Sequence, residues 1–206
     1  LWYAAHPIVA FTQVNLTGVN SAEPIAVADD GNGNLVIVGD GVSPFDVWTS
    51  SDGTTWARST PTGITPGEVA RSIGYDEQTG QWVLLTDAAC YTSQNGIAWV
   101  QVSPTYTARA FQYRSLAFCG RLWVSVSDDE CFIMYSTNGG VDWRPVRIAS
   151  LAEGQSAPLG GVAYSRFRGR FMACTATGTN GTASRSLAVA TNPFDVQDTL
   201  NLPTVT

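Results

Sequence analysis

The chain has 206 residues, enough to bury a sizeable core within one large domain. Lys+Arg number 11 against 17 Asp+Glu, a net charge of −6, and every base is an arginine. An acidic chain without a basic run lacks the electrostatic footprint of a nucleic-acid or anionic-lipid binder. No apolar run approaches the ~18 residues of a membrane-spanning helix, so no membrane insertion is expected.

The chain opens with "YAAHPIVAFTQV" (3–14), which matches "YTSQNGIAWVQV" (91–102) without a gap. Residues 1–20 are therefore expected to be the outer hairpin of an incomplete four-stranded unit. Next come two strand-like runs, "PIAVADD" and "NLVIVGD", across a Gly/Asn/Asp turn, and then "VWTS" and "TWARSTPTG". The same order returns as "RSIGYDE", "QWVLLTD", "CYTS" and "AWVQVSPTY". It returns again as "RSLAFCG", "RLWVSVSDD", "FIMYS" and "DWRPVRIAS". A fourth copy begins at "GGVAYSR" and "RFMACTATG" and ends in the worn "LAVATNPFDVQDTLNL". No segment carries a sustained 3.6-residue period, so no helix longer than a turn is expected.

The outer turns keep a period of 43 residues, with serines at Ser50, Ser93 and Ser136. Four antiparallel strands per repeat of that length predict the blades of a β-propeller. The expected architecture is all-β and five-bladed: a half blade at 1–20 and blades at 21–64, 65–107, 108–150 and 151–206, in one domain. The second strand of each repeat is nearly continuous apolar residue, as a strand covered on both faces requires. The first strand carries Gly or Ala at its middle, read as Ala26, Gly74, Ala117 and Ala163, where strands crowd the axis. A closed ring needs one further inner hairpin, preceding the opening residues or supplied by another chain.

The turns themselves read "SSDGTTW", "SQNGIAW" and "STNGGVDW". Asp52, Asn95 and Asn138 are expected to accept bonds from backbone N–H groups within the turn, and Ser50, Ser93 and Ser136 to bond across it. Gly53, Gly96 and Gly140 (or its neighbour Gly139) suit a positive φ. Trp56, Trp99 and Trp143 are expected to wedge between blades. One amide or carboxylate per turn supplies too few oxygens for calcium, so no metal and no cofactor is expected.

This turn resembles the Asp-box (BNR) repeat, Ser/Thr-x-Asp/Asn-x-Gly-x-Thr-Trp, of the sialidase-like β-propellers. Similar modules occur in bacteriophage tail and fibre proteins and in secreted bacterial proteins. The resemblance implies a ligand site on the loop face opposite the boxes. Candidate binding residues there are Asp40, Asp46, Glu68, Arg71, Asp87, Tyr106, Arg109, Asp128, Asp129 and Glu130. It also implies the function expected here: a non-enzymatic recognition module on a virion or cell exterior, binding a glycan or host-surface protein beside other virion or extracellular subunits. The alternatives are a sialidase-type glycoside hydrolase and a purely structural assembly subunit. Sialidase chemistry resembles an arginine triad with a Tyr–Glu nucleophile pair; the expected Arg-Ile-Pro element is absent, and no Glu–Tyr pair can be assigned from the sequence. With His6 as the one histidine, in a worn turn, no Ser-His-Asp set is expected. The four cysteines, Cys90, Cys119, Cys131 and Cys174, lack metal-ligand spacing and read first as small buried apolar residues, with a disulfide as the alternative.

Overall fold

The computed structural model describes residues 2–3, 12–14, 16, 23–40, 45–102, 113–119, 122–127, 132–147, 159–165, 170–175 and 187–190. Among these, regular structure is entirely β-strand. A two-stranded sheet comes first, from β1 (Trp2–Tyr3) and β2 (Thr12–Gln13). The next sheet contains β3 (Pro24–Asp29), β4 (Leu35–Gly39), β5 (Val47–Ser50) and β6 (Ala57–Ser59), paired in chain order. A third contains β7 (Ala70–Asp76), β8 (Gln81–Thr86), β9 (Cys90–Ser93) and β10 (Val100–Val102). A fourth contains β11 (Tyr113–Cys119), β12 (Leu122–Ser127), β13 (Phe132–Ser136) and β14 (Arg144–Arg147). The last contains β15 (Leu159–Ser165), β16 (Arg170–Thr175) and β17 (Leu187–Ala190). All pairings between these strands are antiparallel, as the tight hairpins demand.

The first strands of successive sheets lie side by side: β3 on β7, β7 on β11, and β11 on β15. Each sheet therefore runs outward from a common centre, and the sheets are blades of a β-propeller. The core lies between blades. Val36, Val38 and Val47 of one blade meet Ile73, Trp82, Leu84, Tyr91 and Trp99 of the next. Val83 and Leu85 meet Trp123, Met134 and Trp143 in the same way. Leu122, Val124 and Val126 then meet Phe171 and Ala173. Covered from both sides, the second strands are fully buried along Val36–Val38 and Trp82–Leu85, which accounts for their unbroken apolar text. Each large side chain so enclosed stabilises the fold by about 1.5–3 kcal/mol.

Two of the expected alignments shift, one by two residues and one by a single residue. Strand register places Ala28 opposite Val36, Gly74 opposite Val83, Ala117 opposite Val124 and Ala163 opposite Met172. The small residue of the first complete blade is thus Ala28, not Ala26. The cause of the small residue is local. At Gly74 a Cβ would stand 2.5 Å from the Trp123 ring of the next blade, so the neighbouring indole, not crowding at the axis, requires glycine there. In the opening hairpin Trp2 lies opposite Gln13, as Tyr91 lies opposite Gln101. Trp2, rather than Tyr3, is therefore the register equivalent of Tyr91.

Candidate functional site

The repeated outer turns share one bonding scheme. Ser50 Oγ accepts from Gly53 N–H at 2.9 Å and donates to Asp52 Oδ1 at 3.1 Å. Asp52 Oδ1 also accepts from the N–H groups of Thr54 and Thr55. Ser93 and Asn95 repeat this with Gly96, Ile97 and Ala98. Ser136 and Asn138 repeat it with Gly140 and Asp142 across a turn one residue longer. Gly53, Gly96, Gly139 and Gly140 all have positive φ, from 71° to 83°, conformations that side-chain-bearing residues resist. The two N–H bonds hold the Asp52 carboxyl well below the usual carboxylate range.

These turns also reach the preceding blade. A Cβ on Gly96 would stand 2.7 Å from a methyl of Val36, and one on Gly140 3.3 Å from Val83 and from Cys90 Sγ. The indole N–H of Trp56 donates to Gly53 O at 3.2 Å and that of Trp143 to Gly140 O at 2.8 Å. Trp99 has no such partner for its buried Nε1; instead its backbone N–H donates to Thr62 O, on the linker from the blade before. Asp76 escaped the sequence reading. Its Oδ1 accepts from Gln78 and Thr79 N–H, and its Oδ2 from Trp123 Nε1 of the next blade at 3.4 Å. The acid preceding the inner turn in the first two four-stranded sheets, Asp30 and Asp76, is the signal that could have found it.

The other end of the blades carries the predicted binding residues. Asp40 and Asp87 occupy matching places after β4 and β8. Asp40 accepts from Glu23 N–H at 2.6 Å, and Asp87 from Val69 N–H at 2.8 Å. In return their own N–H groups donate to Glu23 O and Val69 O. Both carboxylates thus latch the segment that enters the inner strand. Asp46 is buried in an ion pair with Arg58 at 2.7 Å. Buried Glu68 accepts from Thr86 Oγ1 at 2.5 Å. Arg71 is exposed near the start of β7. The structure brings Glu68 and Tyr91 together, a pair the sequence could not assign. Tyr91 OH donates to Thr65 Oγ1 at 3.0 Å, and burial, with Glu68 nearby, raises the phenol above its ordinary pKa. Tyr106, Arg109, Asp128, Asp129 and Glu130 lie outside the described residues.

A cleft of about 660 Å³ opens at the turn end of the two blades spanning β3 to β10. Asn34, Asp52, Gln94 and Asn95 offer polar groups to it, and Tyr75 and Trp82 their rings, 4.8 Å apart between centroids. The Asp30 carboxyl also borders it. Burial opposes its ionisation, but bonds from the Asn34 side chain and from the Asn32 and Asn34 N–H groups outweigh that and lower its pKa. Among the described residues no cluster of His, Cys, Asp and Glu could hold a metal ion. Cys90 is buried, and burial pushes its thiol up to about 12. Cys174, by contrast, is exposed and Cys119 half-buried, so the expectation of uniformly buried thiols fails for these two. Cys131 lies outside the described residues.

No protein-family model matches the chain, and no curated protein matches it. Its fold is similar to that of several solved propellers. One is YCF48 bound to D1 peptide, at 19% identity and a TM-score of 0.60, covering 93% of this chain and 56% of that one. A second is the GH74 xyloglucanase of Xanthomonas campestris, at 17% identity and 0.64, covering 95% and 32%. A third is a chain of a nidogen/laminin complex, at 12% identity and 0.60, covering 84% and 62%. The chain spans less than two thirds of the length of each. At these identities the likeness is one of fold, and the class of protein it defines is the β-propeller.

Proposed function

We propose that the chain is an Asp-box propeller acting as a non-enzymatic recognition module on a virion or cell exterior. Its partner is a glycan or a surface protein, bound through the loops at the end opposite the repeated turns. The observation that carries this reading is the bracing of that end. Asp40 and Asp87 latch the segments entering β3 and β7, and Thr65 and Glu68 are tied to Tyr91 and Thr86. A preformed, rigidly held loop face binds without an ordering cost. Exposed Thr65, Pro66 and Arg71 stand on that face.

The state of the acids favours binding over hydrolysis. Glycoside hydrolysis needs two carboxylates free to face a bond, whereas Asp40, Asp46, Glu68 and Asp87 each hold a protein donor. Against a sialidase-type nucleophile stands the burial of Tyr91, whose ring and hydroxyl are enclosed. A second reading rests on the cleft at the turn end, whose amides and rings suit an extended peptide or sugar. Solved propellers of this shape include one in complex with a peptide and one named a xyloglucanase.

A glycan array and a host-cell binding assay test the proposal, with Arg71→Ala for the loop face and Gln94→Ala for the cleft. Binding lost with Arg71→Ala alone supports the loop face. Loss with Gln94→Ala alone moves the site to the cleft. Turnover of a fluorogenic sialoside, or no binding by a folded sample, overturns the recognition reading.

A further inference from the structure

Among the described residues, the inner part of one blade face is left uncovered. Register places Val27 of β3 opposite Ile37 of β4, as it places Ile73 opposite Leu84 in the next blade. Ile73 is 5% exposed because the preceding blade covers it. Val27 is 50% exposed, and Ile25, two residues away on the same face, is 41% exposed. Farther out on that face, Ile37 and Trp48 are fully buried, packed with Trp56 and with Val14 and Leu16 just beyond β2. The exposed row is thus the inner continuation of an interface that the opening hairpin already makes. That hairpin forms a sheet of two strands, and β1 stands where β5, β9 and β13 stand as third strands. Among the described residues β1 pairs with β2 alone.

We propose that an inner β-hairpin seats on Ile25 and Val27, pairs with the free edge of β1, and completes the four-stranded blade that the opening hairpin begins. Its source is the polypeptide leading into β1. In the three four-stranded sheets the second strand reaches the third by a short connection, Gly39 to Val47, Thr86 to Cys90 and Ser127 to Phe132, so a hairpin entering β1 directly needs no long crossing. Its chemistry follows from the face it must cover. It places aliphatic side chains of its second strand over Ile37 and a small residue of its first strand near Leu35, as Val83 and Gly74 do towards the next blade.

The test extends the chain with its own inner hairpin. A copy of residues 70–89 and one further residue in place of Cys90, supplied by Leu1, is set ahead of Trp2, the register equivalent of Tyr91. Thermal melting and covalent footprinting at Ile25 and Val27 are compared with and without the extension, each with and without Val27→Asp. The extension is expected to raise Tm by about 5 °C or more and to protect both side chains. Val27→Asp is expected to shift Tm by under about 1 °C in the unextended chain and by several degrees in the extended one. Equal Val27→Asp effects in both backgrounds, with both side chains still labelled, overturn the proposal. So does an unextended chain that buries Val27 by self-association, which would make a second copy the occupant.

Discussion

Gly74 on β7 and Trp123 on β12 belong to different blades, yet no side chain fits between them: a Cβ on Gly74 would stand 2.5 Å from Cζ3 of the indole. The same ring stacks on Phe118 at 4.4 Å between centroids and donates to Asp76 beside Gly74. One missing side chain thus lets a neighbouring blade insert its largest residue. Gly74→Ala is expected to lower stability by about 1–3 kcal/mol through overpacking. Ala28→Gly at the matching place is expected to cost under about 1 kcal/mol. Thermal melts of both variants check the contrast; a neutral Gly74→Ala contradicts the packing.

Ser93 Oγ accepts from the buried N–H of Gly96 at 3.0 Å and from the N–H of Asn95 at 3.3 Å. Ser93→Ala leaves these donors without an acceptor, at a cost of about 1–3 kcal/mol. The loss is expected in the folding free energy measured by urea titration. Amide exchange should also quicken at Gly96 ahead of the strands.

Asp52 differs from Asn95 and Asn138 in carrying a charge that titrates. Its folded pKa is depressed below 3.8 by the Thr55 and Thr54 N–H groups. The unfolded chain therefore binds the proton more readily, and the turn's stabilisation is full above pH ~4. It is lost as pH falls from there through the folded value. Protection of the Thr54 and Thr55 amides should weaken between pH 4 and pH 2, while Ile97 and Ala98 beside Asn95 stay level. Asp52→Asn should abolish the difference.

Cys90 and Cys174 should separate chemically. Burial pushes the Cys90 thiol up to about 12, so at pH 8 it stays protonated as well as enclosed. Cys174 is exposed, its thiol donating to Gly161 O at 3.7 Å. Labelling the native protein with a thiol reagent at pH 8, read by mass spectrometry, should mark Cys174 and spare Cys90. Labelling of both at similar rates contradicts the burial of Cys90 against Trp143.

Much of this architecture is readable from text because its cause is local. A serine, an amide or carboxylate, a glycine and a tryptophan suffice to build each turn, so their spacing reports the blades. Register is less readable because the inner turns differ in length. Asp29 pairs with Leu35 across one turn and Asp76 with Gln81 across the next, and with Ala26 and Ala28 both small, letters alone pick Ala26 where hydrogen bonding picks Ala28. The roles of the candidate acids are the least legible. A loop aspartate that greets a ligand and one that latches a backbone N–H look identical in sequence. Asp40 and Asp87 are of the second kind, and Asp87→Ala is expected to cost about 1–2 kcal/mol of stability.

The account rests on each blade being locked to the one before it. Three proton pairs report that directly in the nuclear Overhauser spectrum: Gly96 Hα with the Val36 methyls, Gly140 Hα with the Val83 methyls, and Gly74 Hα with the Trp123 ring. Each joins two blades at van der Waals distance, and all three cross-peaks are predicted to be strong. Cross-peaks confined within single sheets, with these three absent, would contradict the radial packing on which every other conclusion depends.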